Sequence, residues 1–156
     1  MTRANPDNAG VIAPPPLIFG IPLAIALYEN RSKPFAIFPP QYGRIGGGAL
    51  IAVGFALMLA AMIQFSRART AIVPYKPTTA LVDSWPYSMS RNPIYLALAI
   101  IYIGVAIFFN TLWPFLLLPL VLIVVQRGVI DREERYLEGK FGSDYIDYKS
   151  RVRRWI

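Results

Sequence analysis

The sequence predicts an all-α integral membrane protein with about four transmembrane helices and a C-terminal amphipathic helical tail. Of its 156 residues, 55% are hydrophobic and only 16% are charged. A soluble domain of this size could not bury so much apolar surface. The basic residues, which give a net charge of +7, fall between the apolar stretches and at the C-terminus. This distribution favours anionic lipid head groups over nucleic acid as the partner.

The length predicts a single membrane domain over residues 1–156, with N-terminal helices in 1–75 and the functional half in 76–156. The chain has no Cys and no His, which excludes disulfides, thiol nucleophiles, imidazole bases and the usual zinc sites. The first ten residues lack the order of a secretory signal and are expected to be disordered or interfacial.

Two apolar stretches lie in the N-terminal half. Residues 11–28 contain four prolines and are barely long enough to cross a bilayer, so they predict either a first span or a kinked, re-entrant segment. Residues 45–65 are uncharged and of full spanning length. Small residues and one amide recur in this stretch every four positions, which predicts a face for close helix packing: Gly48, Ala52, Ala56, Ala60 and Gln64.

A second uncharged stretch runs over residues 92–126 and would be roughly 50 Å long as one helix, too long for one crossing. It therefore predicts two antiparallel spans, 93–109 and 112–125, joined by a tight turn at Asn110 and Thr111. This hairpin places the 66–91 loop and the C-terminal tail on one face. The many basic residues of that face predict that it is cytoplasmic.

The tail is predicted to form a helix over 131–141 and a second helix over 143–152. Asp131 and Glu134 have the spacing of a capping box, and Gly142 suits a helix C-cap. One face of the second helix and its continuation is aromatic and apolar, which predicts a segment lying on the membrane surface: Tyr145, Tyr148, Val152 and Trp155.

The polar residues at the mouth of the third span are the first candidates for chemistry. Pro93 suits the first turn of a helix, and Asn92 before it can serve as the N-cap. Arg91 is placed at head-group depth, where it either fixes the topology of the chain or binds an anionic ligand.

Glu134 is the second candidate, because it shares a helical stripe with Ile130, Leu137 and Phe141 and is therefore predicted to be buried. A buried carboxylate needs a partner, which is either structural (Arg91 or Arg127) or a polar group of a ligand. The neighbouring Glu133 points off this stripe, and its residue pattern predicts a solvated side chain.

The order and spacing of several short motifs in residues 76–156 resemble the isoprenylcysteine carboxyl methyltransferase and phospholipid methyltransferase superfamily of small membrane enzymes. Asn92 stands where that superfamily usually has histidine, and Ala97 where it usually has glycine. The motifs that carry the resemblance are Thr79-Ala80-Leu81-Val82, Tyr87, Ser90-Arg91-Asn92-Pro93-Ile94-Tyr95, Glu133-Glu134-Arg135-Tyr136-Leu137, Phe141-Gly142, Tyr145, Tyr148 and Val152-Arg153-Arg154-Trp155.

The resemblance implies that S-adenosylmethionine binds between the loop before the third span and the tail, without a metal. It implies these cofactor-binding residues: Thr79, Ala80, Leu81, Val82, Tyr87, Asn92, Pro93, Ile94, Tyr95, Glu133 and Glu134. Arg91, Asn92 and Glu134 are the expected catalytic residues, and Arg127 is expected to contact an anionic substrate.

The expected function is methyl transfer to a lipophilic acceptor such as a prenylcysteine carboxylate, with membrane lipids as further partners. The alternative acceptor is a phospholipid head-group amine. A carboxylate is already nucleophilic, whereas an ammonium group must first lose a proton to a base. A non-catalytic helical protein that binds lipid or a partner protein is the competing hypothesis.

Overall fold

A computed structural model describes residues 7–37, 39–71 and 76–156. The described chain is helical, with 69% of residues in helices and no strand within the described ranges. The α-helices are α1 (Pro15–Ser32), α2 (Pro40–Arg67), α3 (Pro93–Phe108), α4 (Trp113–Val125), α5 (Asp131–Phe141) and α6 (Ser143–Arg151). A short π-helix over Gln126–Ile130, called the π segment below, joins α4 to α5.

Within the described residues, two helices are long and apolar enough to cross a membrane. They are Gln41–Arg67 and the continuous helix Trp113–Phe141. Their most apolar windows of 18 residues have mean hydropathies of 2.2 and 2.0. The predicted number of about four spans is therefore not confirmed. The apolar helix α3 has only 16 residues, roughly 24 Å, and α1 carries Glu29 and Arg31 near its end.

Helix α2 packs closely against α3 through glycines. A Cβ atom added at Gly47 would lie 2.3 Å from the backbone N of Phe108, and one added at Gly104 would lie 2.9 Å from the backbone N of Ile51. The predicted packing stripe is wrong, because Gly48 faces open space and Ala52 and Ala56 are exposed. The stripe begins one residue after Gly47 and is therefore turned about 100° away from the contact surface. Among the described residues of α2, the buried positions are Gly43, Gly47, Gly54 and Ala61.

The core lies between α1, α3 and α4, and the predicted hairpin of α3 and α4 is present. Asn110 turns the chain with a left-handed φ of 52°, a conformation that Asn tolerates. Tyr102 donates a hydrogen bond across the hairpin to the backbone oxygen of Pro114 at 3.1 Å. The buried members of this core are Val11, Phe19, Tyr95, Ala99, Tyr102, Val121, Val125, Val129 and Ile130.

The π segment makes α4 and α5 one continuous rod, which the sequence did not predict. Asp131 consequently lies inside a continuous helix and caps nothing, so the capping box is wrong; its Oδ1 accepts a hydrogen bond from Gln126 Nε2 at 2.9 Å. The predicted end at Gly142 is confirmed. Its φ of 55° is left-handed, and its N–H donates to the oxygen of Glu138.

Two further expectations are corrected at the ends of the chain. Tyr145 and Tyr148 of α6 are buried, so this face packs on the protein instead of the membrane surface. Residues 7–10 are held in place, because Arg132 Nη1 donates to the Gly10 oxygen at 2.8 Å. Residues 1–6, which shared the expectation of disorder, lie outside the described residues.

Candidate functional site

A cavity of about 110 Å³ lies where the 76–92 loop, the start of α3, α5 and α6 meet. These elements are distant in sequence, and the α3–α4 hairpin with the continuous rod brings them together. Most of the predicted site residues line this cavity: Ala80, Leu81, Val82, Tyr87, Arg91, Asn92, Pro93, Ile94, Tyr95, Glu133 and Glu134.

Two predicted site residues lie elsewhere. The N–H of Thr79 donates to Thr70 Oγ1 at 2.8 Å, which ties Thr79 to the segment after α2; its neighbour Thr78 lines the cavity instead. Arg127 lies on the π segment with an exposed side chain and does not line the cavity. The sequence left Arg91 and Arg127 open as structural partners of Glu134. Arg127 is not a partner of Glu134 in the structure.

The remaining wall consists of residues that the sequence reasoning did not select as a site. They come from the N-terminal segment, from the end of α2 and from α5 and α6, and periodicity within one element cannot show that such segments meet. The sequence did indicate that Tyr145 and Tyr148 are buried in some contact, since both fall on the apolar face of α6. These additional residues are Ala9, Phe65, Ala71, Thr78, Tyr136, Leu137, Tyr145 and Tyr148.

Asn92 holds the C-terminal tail instead of capping α3. It occupies the N-cap position, but its side chain makes no capping hydrogen bond. Its Nδ2 donates to the backbone oxygen of Arg154 at 3.0 Å. Its own N–H donates to Ser90 Oγ at 3.2 Å. The predicted capping role is therefore wrong, although the helix begins where expected.

Glu134 is buried, as predicted, and its carboxylate is almost fully paired. Arg154 donates to both of its oxygens, from Nε at 2.9 Å and from Nη2 at 2.6 Å. Arg91 Nη2 lies 3.3 Å from Oε1, which confirms Arg91 as a structural partner. The hydrogen bond with Glu134 raises the pKa of Arg154 above its ordinary value. Two guanidinium groups thus neutralise this carboxylate within the protein.

Glu133 is half-buried and faces the cavity, so the expectation of a solvated side chain is wrong. Its Oε1 accepts a hydrogen bond of 2.7 Å from the hydroxyl of Tyr95. The two neighbouring carboxylates therefore differ. Glu134 is paired with arginines, whereas Glu133 faces the cavity and accepts a hydrogen bond from Tyr95.

Several buried donors on the cavity wall have no hydrogen-bond partner within the described part of the chain. They are the hydroxyl of Tyr87 and the Nε and Nη1 atoms of Arg91. Burial raises the pKa of Tyr87, so its hydroxyl keeps its proton. Buried donors without partners are costly, so these groups are suited to the acceptor atoms of a ligand.

Comparison with known proteins finds a family and a similar protein. Residues 42–144 match a family described as "Phospholipid methyltransferase". A protein of Haemophilus influenzae described as "Uncharacterized protein" is 36% identical over 63 residues, which are 40% of this chain and the whole of that protein. No solved structure matches the chain.

Proposed function

Since the chain belongs to the phospholipid methyltransferase family, we propose that it transfers a methyl group from S-adenosylmethionine to a lipophilic acceptor. The family lies within the superfamily that the sequence motifs resemble, so that resemblance is confirmed. A methyltransferase family and two helices of spanning length point to a membrane protein. We propose further that it is one multi-pass domain with its cavity and C-terminus at the cytoplasmic face.

The observation that carries this proposal is the set of unpartnered donors of Arg91 and Tyr87 beside the Glu133 carboxylate, which accepts a hydrogen bond from the Tyr95 hydroxyl. S-adenosylmethionine has a carboxylate, an ammonium group, ribose hydroxyls and a sulfonium. Arg91 Nε and Nη1 are suited to its carboxylate, and Glu133 is suited to its ammonium or hydroxyl groups. The rings of Tyr145 and Tyr148 are suited to a nearby positive charge. The residues present therefore fit this cofactor.

The bound cofactor would supply a methyl group already activated as an electrophile on sulfur. The protein's own task is to align donor and acceptor and to exclude water. The buried tyrosines of α6 and the apolar side chains of the 80–82 segment form a wall suited to that task. Neither a histidine nor a cysteine is needed for alignment, which agrees with the composition.

Two acceptor classes differ in what they require from the cavity. A prenylcysteine carboxylate is already ionised and needs no base. A phospholipid amine must lose a proton, and the Glu133 carboxylate is placed in the cavity to take it. The family description and the position of Glu133 favour the amine as a second candidate.

The experiment is transfer of a radiolabelled methyl group by detergent-purified protein to each acceptor in mixed micelles. We expect label in the lipid fraction with either a farnesylated cysteine derivative or phosphatidylethanolamine, and none without protein. Glu133→Gln should abolish transfer to the amine, which loses its base. At saturating S-adenosylmethionine it should reduce transfer to the carboxylate much less, because that acceptor needs no base. Absence of label with both acceptors, while the protein remains folded, would contradict a catalytic role with these acceptors.

A further inference from the structure

The last residues of the chain lie outside the family match over 42–144, yet they are fastened directly onto the candidate site. We call residues 153–155 the tail clasp. The N–H of Arg91 donates to the backbone oxygen of Arg153 at 2.9 Å. Ser90 Oγ and Asn92 Nδ2 both donate to the backbone oxygen of Arg154, at 3.3 and 3.0 Å. The clasp therefore holds the backbone on both sides of Arg91.

Side chains of the clasp bind the rod on the opposite side of the site. Arg154 donates two hydrogen bonds to Glu134, and its Nη1 lies 3.3 Å from Asp131 Oδ1. Trp155 Nε1 donates to Gln126 Oε1 at 3.2 Å, at the start of the π segment. The end of the chain thus connects loop residues 90–92 to the continuous helix of α4, the π segment and α5.

Glu134 connects Arg154 to Arg91. Its Oε1 accepts from Arg154 Nε and also lies 3.3 Å from Arg91 Nη2. This contact uses the Nη2 group of the Arg91 guanidinium. The side chain of Arg91 is only 9% exposed. The other donors, Nε and Nη1, are buried without a partner in the described residues. Arg91 lines the cavity. Its planar guanidinium is held through Nη2, while its other two N–H groups have no acceptor in the described residues.

We propose that Arg154 is a positioning residue: through Glu134 it orients Arg91, whose Nε and Nη1 bind the carboxylate of the cofactor. Glu134 then acts between two arginines and is not itself a contact of that carboxylate. This inference rests on the proposed function, because it requires a cofactor with a negatively charged group in the cavity.

The experiment is a double-mutant cycle on the affinity for S-adenosylhomocysteine, measured by calorimetry with detergent-purified full-length protein. Arg154→Ala should weaken binding about tenfold or more, because a guanidinium that is no longer oriented loses its paired hydrogen bonds. In an Arg91→Gln background the same change should weaken binding by less than about twofold, since Arg154 then has nothing to orient. Arg154→Lys should be intermediate, because an ammonium cannot bind Glu134 in two places.

Arg151→Ala is the matched control, since it removes the same charge from an exposed side chain whose guanidinium donates to the Asp147 oxygen. It should leave the affinity unchanged. Arg91→Lys serves as the second background if Arg91→Gln does not fold, as judged by thermal unfolding of each variant. An equal loss of affinity from Arg154→Ala in both backgrounds would show that the clasp is merely structural and would overturn the inference. Wild-type protein that binds no S-adenosylhomocysteine at millimolar ligand would overturn the proposed function and the inference together.

Discussion

At the scale of single residues, two adjacent carboxylates have different surroundings and therefore different expected roles. Glu134 is enclosed by Arg154 and Arg91, whereas Glu133 shares one hydrogen bond with Tyr95 and faces the cavity. The burial of Glu134 could be predicted, because its neighbours on the same face of the helix are apolar and that face is therefore buried. Its main partner could not, because Arg154 lies 20 residues away and no local period connects the two.

Glu134→Gln should destabilise the protein more than Glu133→Gln. The first change leaves Arg91 without a carboxylate partner in the described residues and leaves Arg154 with Asp131 alone. The expected cost is about 1–3 kcal/mol. In the second, the amide oxygen of Gln can still accept from Tyr95, so the change should stay within about 0.5 kcal/mol. Chemical unfolding of both variants in the same detergent measures the difference. Equal losses of stability would contradict the assignment of Glu134 as the structural carboxylate.

Tyr95→Phe should reduce methyl transfer to the amine acceptor at least tenfold, because the Glu133 carboxylate loses the hydroxyl that orients it in the cavity. Its free energy of unfolding should fall by only about 1 kcal/mol, the usual contribution of one hydrogen bond. Initial rates and thermal unfolding are measured on the same preparation. A variant with full activity would show that this hydrogen bond does not serve the reaction.

At the scale of elements, the contact between α2 and α3 depends on which glycines face the partner helix. Adjacent positions on α2 differ completely in this respect. A Cβ at Gly47 would meet the backbone of Phe108 at 2.3 Å, whereas a Cβ at Gly48 would meet nothing within 4 Å. The sequence predicted a small-residue face, but the phase of the helix was set by α3 and could not be read from α2 alone.

Gly47→Ala should therefore destabilise the protein by about 2 kcal/mol or more, since rigid backbone cannot move away from the added methyl group. Gly48→Ala is its matched control and should be neutral or stabilising by about 0.5–1 kcal/mol, because Ala favours the helix over Gly. Thermal unfolding of the two variants in detergent checks both signs. A larger loss of stability in Gly48→Ala than in Gly47→Ala would support the stripe predicted from the sequence and contradict the observed packing.

The N-terminal segment is a second element whose placement depends on a small number of contacts. Asp7 accepts hydrogen bonds from Tyr136 at 2.7 Å and from Lys140 at 2.8 Å, and Ala9 lines the cavity. The hydrogen bond from Lys140, with that from Tyr136, lowers the pKa of Asp7 below its ordinary value. This carboxylate is therefore charged, and the segment held, at neutral pH.

Acid should release this segment in a defined direction. A group with a lowered folded-state pKa contributes above its unfolded value of about 3.9 and loses that contribution as the pH falls through the lowered value. The amide resonances of Ala9 and Gly10 should thus titrate with a midpoint below about 3.9. In Asp7→Asn these resonances should occupy the released position already at neutral pH. A midpoint at or above the ordinary value would show that the ion pair does not hold the segment.

The π segment explains why the tail differs from its prediction. The sequence pattern predicted an apolar span that ends at residue 125 and a polar helix that begins at residue 131. Instead, five residues of π-helix join α4 to α5 without interruption. They change the direction in which the side chains of α5 point relative to those of α4. Such insertions occur often at functional sites. No composition signal marks them, since π-helical turns are stabilised by the contacts around them.

At the scale of the whole molecule, the sequence predicted the helical class, the α3–α4 hairpin and most of the cavity wall. Those features follow from hydropathy, from turn residues such as Asn110 and Gly142, and from motifs that resemble a family. The number of spans was not confirmed, because α1 ends in charged residues and α3 is short. The assembly of the wall from segments as distant as Ala9 and Tyr148 could not be predicted, since it depends on packing between elements.

The central claim is that the cavity binds S-adenosylmethionine, and calorimetric titration of detergent-purified protein with this cofactor and with S-adenosylhomocysteine tests it most directly. Our account predicts saturable binding of one molecule per chain in the micromolar range, weakened at least tenfold in Arg91→Gln because the carboxylate loses its paired donors. Absence of heat and of thermal stabilisation at millimolar ligand, with protein that is folded, would contradict the account.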